Sequence, residues 1–311
     1  MTRRFYLAGA LLCASLSLSS PLAAQLSYSS GQPLSPAYEG WEKNADGSFN
    51  LVFGYMSSNW EQEIDVPIGP LNNFSPGPAD QGQPTHFFPR RNRFVFRIKV
   101  PKDFGTKEVV WTVTANGRTF KAYGTLKEDY FVDNMVFASE TGALGAGVSS
   151  PATRANKAPT AEAVGETVRT VKVGDPLTLT VLVNDDGIPK LRQRGDFGDR
   201  RANEMGIKDL RMVPPRQLTV GSSTGLWCAL IVYRGNGPAV HISPDQTKVW
   251  EDTRAGANSQ WAPRWVAPPA PTDGKWTATA VFDEPGTYTL RWRASDGALW
   301  ADQDIKVTVT K

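Results

Sequence analysis

The sequence predicts an all-β protein made of two β-sandwich domains joined by a flexible linker. Three observations carry this prediction. Apolar and polar side chains alternate over several short segments, which is the period of half-buried strands. Asn-Gly and Asp-Gly pairs lie between such segments and favour tight hairpins. The 311 residues include 28 Gly, 23 Pro and 10 Trp, a composition that favours turns and strands over helices.

Residues 1–24 have the composition of an export signal. Arg3 and Arg4 form its positive start, an apolar core runs from Leu7 to Leu18, and small residues end at Ala24. That core is too short to span a bilayer, and no later apolar run is long enough. We therefore expect a periplasmic or extracellular protein without a membrane span, exported by the general secretory route or by the twin-arginine route that Arg3-Arg4 also resembles.

The charge and cysteine content narrow the classes of function. The formal net charge of +3 includes Arg3 and Arg4, which leave with the signal, so the mature chain is close to neutral and no nucleic-acid partner is indicated. Cys13 also leaves with the signal. Cys228 then has no partner for an intrachain disulfide, and its apolar surroundings in sequence predict a small core residue rather than a nucleophile.

The chain divides by composition into a short lead-in and two domains. We expect an extended lead-in at residues 25–37, a first sandwich at 38–138, a linker at 139–160 and a second sandwich at 161–311. The linker is predicted because residues 139 to about 160 are mainly Gly, Ala, Ser and Pro. The same segment could be packed down, so the sequence leaves open how rigidly the two sandwiches are held.

The first sandwich is predicted from five segments with the character of strands: residues 48–56, 59–66, 93–100, 108–114 and 118–124. Asn116-Gly117 joins the last two as a hairpin. Residues 93–100 alternate cleanly between apolar and polar side chains, so one buried and one exposed face are expected. Residues 67–89, rich in Pro, Gly, Asn and Asp, are expected to form a long loop.

The second sandwich is predicted from strands at residues 177–183, 225–233 and 276–282 and from a closing hairpin at residues 285–309. Asp296-Gly297 supplies the turn of this hairpin. Its first strand is expected to be half-buried, with Tyr288, Leu290, Trp292 and Ala294 on one face and Thr289, Arg291 and Arg293 on the other. Two insertions interrupt the domain, at residues 188–224 and 249–271.

Four motifs of the second domain resemble bacterial immunoglobulin-like domains of the polycystic-kidney-disease (PKD) type. They are Val173-Gly174-Asp175-Pro176-Leu177-Thr178-Leu179, Trp227 followed by Tyr233-Arg234-Gly235-Asn236-Gly237-Pro238, Phe282-Asp283-Glu284-Pro285-Gly286-Thr287-Tyr288-Thr289-Leu290, and Ala294-Ser295-Asp296-Gly297. The resemblance covers about residues 168–311 and implies an immunoglobulin-like sandwich acting as a spacer, adhesion or accessory module. Both insertions depart from the family pattern. Residues 38–136 resemble no family with an attached activity.

Candidate catalytic residues are few. Only two histidines are present, His86 and His241, and neither has a zinc-type or triad-type neighbourhood in the sequence. Glu61, Glu63 and Asp65 recur at every second position, and paired carboxylates can hydrolyse glycosides, although an exposed acidic strand face is commoner. We expect no catalysis. A hydrolase would become credible if Glu61 or Glu63 met His86 in one cleft.

Calcium is the cofactor that the sequence makes possible. Asp185 and Asp186 follow one predicted strand and Asp296 lies in the closing turn, and both loops leave the same end of an immunoglobulin-like sandwich. Calcium prefers several hard oxygen ligands, which separate loops can supply. The alternative is that the Asp-Gly pairs only form turns.

Two features favour a binding surface. Trp250, Trp261 and Trp265 lie in the second insertion, where their rings could stack on a sugar while Arg254 donates hydrogen bonds, or could instead fasten the insertion to the sandwich. Arg90, Arg91 and Arg93 with Phe87 and Phe88 form a plausible contact patch, or a basic edge that discourages aggregation.

The function expected from the sequence is an exported, non-catalytic binding or structural module of the scaffold or adhesion type. Its partner would be a protein or a cell-surface polysaccharide. The first alternative is an accessory protein that binds carbohydrate through the Trp-rich insertion, and the second is a glycoside-type hydrolase.

Overall fold

The computed structural model describes residues 29–140, 150–190, 225–246 and 269–311. Within these ranges it contains sixteen β-strands and a few short helices, so the predicted all-β class is confirmed. None of the helices in this part of the chain is long and apolar enough to cross a bilayer.

The first domain consists of eight strands. They are β1 (Leu34–Lys43), β2 (Phe49–Ser57), β3 (Ile64–Asp65), β4 (Asn72–Ser75), β5 (His86–Phe87), β6 (Arg90–Val100), β7 (Val109–Ala115) and β8 (Arg118–Gly124). One sheet has the order β1-β2-β6, a second has the order β4-β7-β8, and β3 pairs with β5. The two larger sheets pack face to face because Phe53 and Phe96 of one contact Phe74 and Trp111 of the other.

The hairpin predicted at Asn116-Gly117 is present. Ala115 pairs with Arg118 across the two-residue loop, and both loop residues have the positive φ that such a turn requires. The strand predicted at residues 59–66 is reduced to β3, and the loop predicted at residues 67–89 contains β4 and β5. Asn72 organises that segment, since its side chain donates to the carbonyl oxygens of Val66 and Pro84. Such short strands leave no periodic pattern in the sequence.

The regular alternation predicted for residues 93–100 is wrong at its start. Pairing between β2 and β6 shifts between Phe53 and Tyr55, and Phe94 has a φ of 53°. This β-bulge buries Phe94, Val95 and Phe96 in succession, and alternation resumes only after them. Gly54 lies opposite, where a Cβ atom would be 2.5 Å from the carbonyl oxygen of Asn92.

The second domain also consists of eight strands. They are β9 (Thr160–Ala163), β10 (Val168–Lys172), β11 (Leu177–Asn184), β12 (Trp227–Arg234), β13 (Val240–Ser243), β14 (Lys275–Phe282), β15 (Gly286–Ser295) and β16 (Trp300–Thr310). One sheet has the order β10-β16-β15-β12 and the other β13-β14-β11-β9. Their facing apolar side chains, among them Leu179, Phe282, Leu290 and Trp292, form one core. This is the two-sheet sandwich that the PKD-type resemblance implies.

The prediction that the strand from Tyr288 to Ala294 is half-buried is wrong. Its apolar face lies in the core as expected, but Arg291 and Arg293 on the other face are only 8% and 4% exposed. Alternation in sequence correctly separates the two faces of β15. It does not reveal that the polar face is covered by another domain.

The segment between the domains is folded wherever the structure describes it. Helix α1 (Asn134–Glu140) follows the first domain, helix α2 (Pro151–Ala155) begins with a capping box at Ser150, and the buried Asn156 follows. Strand β9 then begins at Thr160. Among the described residues of the predicted linker, Asn156 and Pro159 are buried, whereas most of the others, including Pro151, Arg154 and Lys157, are exposed.

A small apolar cluster fastens the two domains together. We call it the interdomain cluster, and it consists of Val52, Phe94, Val132, Phe137, Leu299 and Trp300. The ring of Phe94 stacks on Trp300 with centroids 5.2 Å apart, and Phe137 of α1 packs edge-on against both rings. The bulge that turns Phe94 outward therefore provides an apolar contact between the first domain and the second.

Candidate functional site

In the described part of the chain, the buried ionisable side chains of His86, Arg291 and Arg293 lie at the junction of the two domains. Residue His86 of β5 lies between two carboxylates, with Nε2 3.0 Å from Glu63 and Nδ1 2.8 Å from Asp65. The imidazole side chain is only 1% exposed. We call Glu63, Asp65 and His86 the His86 triad. Among the described contacts of His86, the carboxylate partners are Glu63 and Asp65 and not Glu61. Of these three acidic residues, only Asp65 lies in a strand.

The second domain closes over the His86 triad at Gly237. The backbone N–H of Gly237 donates to Asp65 Oδ1 at 3.3 Å. A Cβ atom at this position would overlap the imidazole ring of His86, so only glycine fits. Gly237 belongs to the Gly235-Asn236-Gly237-Pro238 motif of the PKD-type resemblance. In this chain the motif therefore also serves as a docking surface for the first domain.

The surroundings favour the imidazolium form of His86. Burial alone would lower the pKa of His86, but hydrogen bonds to Asp65 and Glu63 and the charges of both carboxylates outweigh it and raise the pKa to about 9. The histidine is thus a fixed cation between two acids at neutral pH.

Glu63 contacts His86, which is the geometry that we required before considering a hydrolase. The protonation of His86, however, does not suit a general base. A general base needs a ring nitrogen with a free lone pair near a nucleophile. Both nitrogens of His86 are bonded to carboxylates, and a raised pKa keeps both protonated. The neighbouring Thr85 hydroxyl accepts the N–H of Gly235. This arrangement suits an ionic fastening between domains.

Two buried arginines extend that fastening. Arg291 pairs with Asp304 and Arg293 with Asp302, each through two nitrogens at 2.6–2.9 Å. Arg291 also donates to the carbonyl oxygen of Val95, and Arg293 donates to those of Phe94 and Val95. The β-bulge leaves these carbonyls outside the strand ladder, so the guanidinium groups of one domain satisfy the backbone of the other.

The charges of Arg291 and Arg293 both act on the carboxyl group of Asp302. Burial would raise the pKa of Asp302, but the charges of Arg293 and Arg291 outweigh it and hold that pKa below its usual range. Arg291 lies over the ring of Tyr233 at 3.5 Å, a cation–π contact. The arginine pair was missed from sequence. A usable signal existed, because Arg291 and Arg293 stand directly opposite Asp304 and Asp302 in the hairpin register.

The edge of β12 completes the junction. Tyr233 donates its hydroxyl to the carbonyl oxygen of Gly82 and accepts the N–H of Thr85 at its own carbonyl. Arg234 forms a two-point ion pair with Asp80, which lowers the pKa of that carboxyl. The long loop of the first domain is therefore held by the second, and this explains why residues without periodicity adopt a defined path.

The predicted patch of basic and aromatic residues is divided by the fold. Phe87 is fully buried against Tyr55 and is unavailable for surface contact. Arg90 lies over the ring of Trp60 at 3.8 Å, and Nη2 of Arg91 lies 2.7 Å from the buried carboxylate of Glu39. These arginines make contacts within the first domain, while Arg93 pairs with Glu140 of α1.

The three predicted calcium ligands lie at one end of the second domain. Asp296 is fully buried and accepts the backbone N–H groups of Ala298 and Leu299 and the side-chain amide of Asn156. Burial raises the pKa of Asp296 to about 6, with a contribution from the charge of Asp185. Asp186 accepts the N–H of Lys157 and bonds its own loop. In the described ranges, no group of three or more His, Cys, Asp or Glu side chains is arranged to hold a metal ion.

Of the other residues that the sequence singled out, Cys228 and His241 lie in the described ranges and the tryptophans of the second insertion do not. Cys228 is 1% exposed in β12, and burial raises the pKa of its thiol well above the usual range, as expected of a core residue. Exposed His241 forms an ion pair with Asp283. The proposed sugar-binding residues lie outside the described ranges; they are Trp250, Trp261, Trp265 and Arg254.

Comparisons with known proteins give only distant structural likenesses. No protein-family model matches the chain, and no curated protein matches its sequence. Among solved structures, the PKD domain of an M14-like peptidase from Thermoplasmatales archaeon SCGC AB-540-F20 is 10% identical with a TM-score of 0.23, over 50% of this chain and all of that one. The D0-D1 domain of Intimin is 12% identical with a TM-score of 0.22, over 88% and 97% of the two chains. Domains 4 and 5 of the S-layer protein SbsC are 10% identical with a TM-score of 0.23, over 90% and 98%.

Proposed function

We propose that this chain is an exported, non-catalytic structural or binding module whose two sandwiches act as one rigid unit. The observation that supports this proposal is that the buried charged groups at the junction are all engaged in contacts that join the two domains. His86 pairs with Glu63 and Asp65, and Asp65 accepts the N–H of Gly237. Arg291 and Arg293 each pair with a carboxylate of β16 and also donate to backbone carbonyl groups of the first domain. The composition of residues 1–24 supports export.

A rigid pair of sandwiches suits a module that holds a binding surface at a fixed distance. Such a function needs a stable relative orientation, which buried interdomain ion pairs provide because each has one good geometry. A hydrolase, in contrast, needs an accessible acid and base. In the described ranges, the buried histidine that contacts a carboxylate is His86, and both of its ring nitrogens are already paired with carboxylates.

The partner is proposed to be a protein or a cell-surface polysaccharide. The first test uses the mature chain, residues 25–311, as bait in periplasmic extract and in sedimentation with insoluble polysaccharides, beside a Trp261→Ala/Trp265→Ala variant. We expect a protein partner that both forms retain. Polysaccharide retained by the unaltered chain and lost by the variant would establish the carbohydrate alternative instead. Turnover of glycoside substrates by the unaltered chain, abolished by Glu63→Gln, would contradict a non-catalytic module.

We also propose calcium as a stabilising ion for the second domain. The observation that favours it is a pair of buried oxygens, Asn156 Oδ1 and Asp185 Oδ1, which have no hydrogen-bond partner among the described residues, beside Asp296. These are hard oxygen ligands of the type that calcium takes. Calorimetry with calcium, magnesium or chelator tests this. A calcium-specific rise in Tm that Asp185→Asn removes supports the ion, and equal Tm values in all three conditions reject it.

A further inference from the structure

We propose that the His86 triad is a proton-dependent latch, which holds the Gly237 segment of the second domain against the first while His86 is protonated and releases it when His86 loses its proton. The inference goes beyond the proposed function, because it concerns how the junction opens rather than what the module binds. It depends on the contacts of Glu63, Asp65 and Gly237 with one another and with the buried ring.

The geometry requires two donors on one imidazole. Nδ1 lies 2.8 Å from Asp65 Oδ1 and Nε2 lies 3.0 Å from Glu63 Oε2, and a carboxylate can only accept. A neutral imidazole has one N–H. After deprotonation, one ring nitrogen would present its lone pair to a carboxylate oxygen at hydrogen-bond distance. Two acids would then face each other across a neutral ring.

No other cation in the described surroundings can replace the imidazolium. The charged and titratable groups around His86 are Glu63 and Asp65 on its own ribbon, Tyr55 of β2, Tyr233 of β12, Arg291 and Arg293 of β15, and Tyr288, also of β15, which lies against Gly235. The two arginines are bonded to Asp304 and Asp302. The tyrosines are neutral acids whose raised pKa values keep them so. Deprotonation of His86 therefore leaves Glu63 and Asp65, whose side chains are 41% and 28% exposed, with water but without a cationic partner in the described surroundings.

The second domain senses this change directly. Asp65 Oδ1 accepts both the imidazole N–H and the backbone N–H of Gly237. The absence of a Cβ at Gly237 lets the backbone lie directly against the imidazole ring, so a movement of the ring towards this segment would displace it. The raised pKa of His86, about 9, sets the pH at which we expect release to begin.

The chain offers a matched control, because it contains only two histidines and both contact an aspartate. His241 is exposed and contacts Asp283 within the second domain. Imidazole NMR signals of the mature chain can be assigned with a His241→Gln variant. We expect the signal that this variant keeps to titrate near pH 9.

Domain separation is measured in the same samples by electron-spin distance measurement. Spin labels are attached at Lys121→Cys in β8 and Lys275→Cys in β14, which are exposed positions in different domains, while Cys228 is buried. We expect one narrow distance at pH 7 that broadens as His86 titrates. A Glu63→Gln variant removes one of the two acids, so release should begin about one pH unit lower. The His241→Gln variant should follow the unaltered chain.

The outcomes separate clearly. Broadening that tracks His86 and shifts in Glu63→Gln supports the latch, as does a His86→Gln variant with a broad distance at every pH. A narrow distance that persists through the titration of His86 overturns it. So does release at the same pH in the unaltered and Glu63→Gln chains, because opening would then depend on other groups. Circular dichroism at each pH confirms that both sandwiches stay folded.

Discussion

Arg293 and Asp302 face each other across β15 and β16, and the guanidinium group that closes this ion pair also binds two carbonyl groups of the other domain. A single side chain thus joins a hairpin of the second sandwich to a bulge of the first. Arg293 lies on the surface of the second domain, but the first domain covers it, so the ion pair is buried in the whole protein.

Removal of Arg293 should cost much more stability than removal of an exposed cation. Arg293→Ala leaves Asp302 without its two-point partner and the carbonyl group of Phe94 without its donor, while Val95 keeps the bond from Arg291, so the free energy of unfolding should fall by about 3 kcal/mol. Urea unfolding of the mature chain measures this. Lys99→Ala, which breaks the exposed pair with Asp46, is the control and should change little. Equal losses would contradict an interior role for Arg293.

Gly237→Ala should destabilise the junction. The new methyl group would overlap the His86 ring, so the loop must move away, at a cost of about 1–3 kcal/mol. Calorimetry should show a lower Tm and a separation of one transition into two. Gly286→Ala is the matched control, because a Cβ there meets only Tyr288 at 3.4 Å. An unchanged melting profile in Gly237→Ala would mean that this contact does not hold the domains.

Asp296→Asn should stabilise the protein at pH 7 in the absence of calcium. Burial raises the pKa of Asp296 from 3.8 to about 6, so folding binds a proton between these values and the stability contributed by this group falls as pH rises through them. The amide removes the buried charge and keeps an acceptor for Ala298 and Leu299. Urea unfolding at pH 7 should show a gain of up to about 3 kcal/mol, since each pKa unit corresponds to about 1.4 kcal/mol. The gain should shrink as pH falls towards 4.

Cys228 should react with thiol reagents only after unfolding. The residue is only 1% exposed, and burial raises the pKa of its thiol, which keeps the thiol protonated at neutral pH. A chromogenic disulfide reagent should find no reactive thiol in the folded mature chain and one after denaturation. Rapid reaction of the native protein would show that β12 opens readily.

The sequence predicts the interior of each sandwich better than the surfaces between them. Alternation correctly placed Tyr288, Leu290 and Trp292 together on the core-facing side of their strand. It failed at Phe94, where a residue with a left-handed backbone breaks the period, and at Arg291, whose covering partner is Val95, far away in the chain. Polar residues at a domain junction have the same local pattern as polar residues in water.

The candidate site was predicted only in part. His86 and Glu63 were identified as a pair whose meeting would matter, but the two-sided pairing of the ring depends on β3 and β5, which are two residues each and have no sequence signature. Asn156, which donates to the buried Asp296, was missed because a buried polar residue in a stretch of linker composition has no pattern to reveal it.

The parallel pairing of β10 with β16 has a mechanical consequence. These strands lie near the two ends of the second domain, and Val168 to Lys172 pair in register with Lys306 to Thr310. A pull on opposite ends of two parallel strands acts along their length, so the bonds between them are strained together and not one after another. Tension that reaches the domain through β10 and β16 would therefore be resisted by the whole length of this pairing.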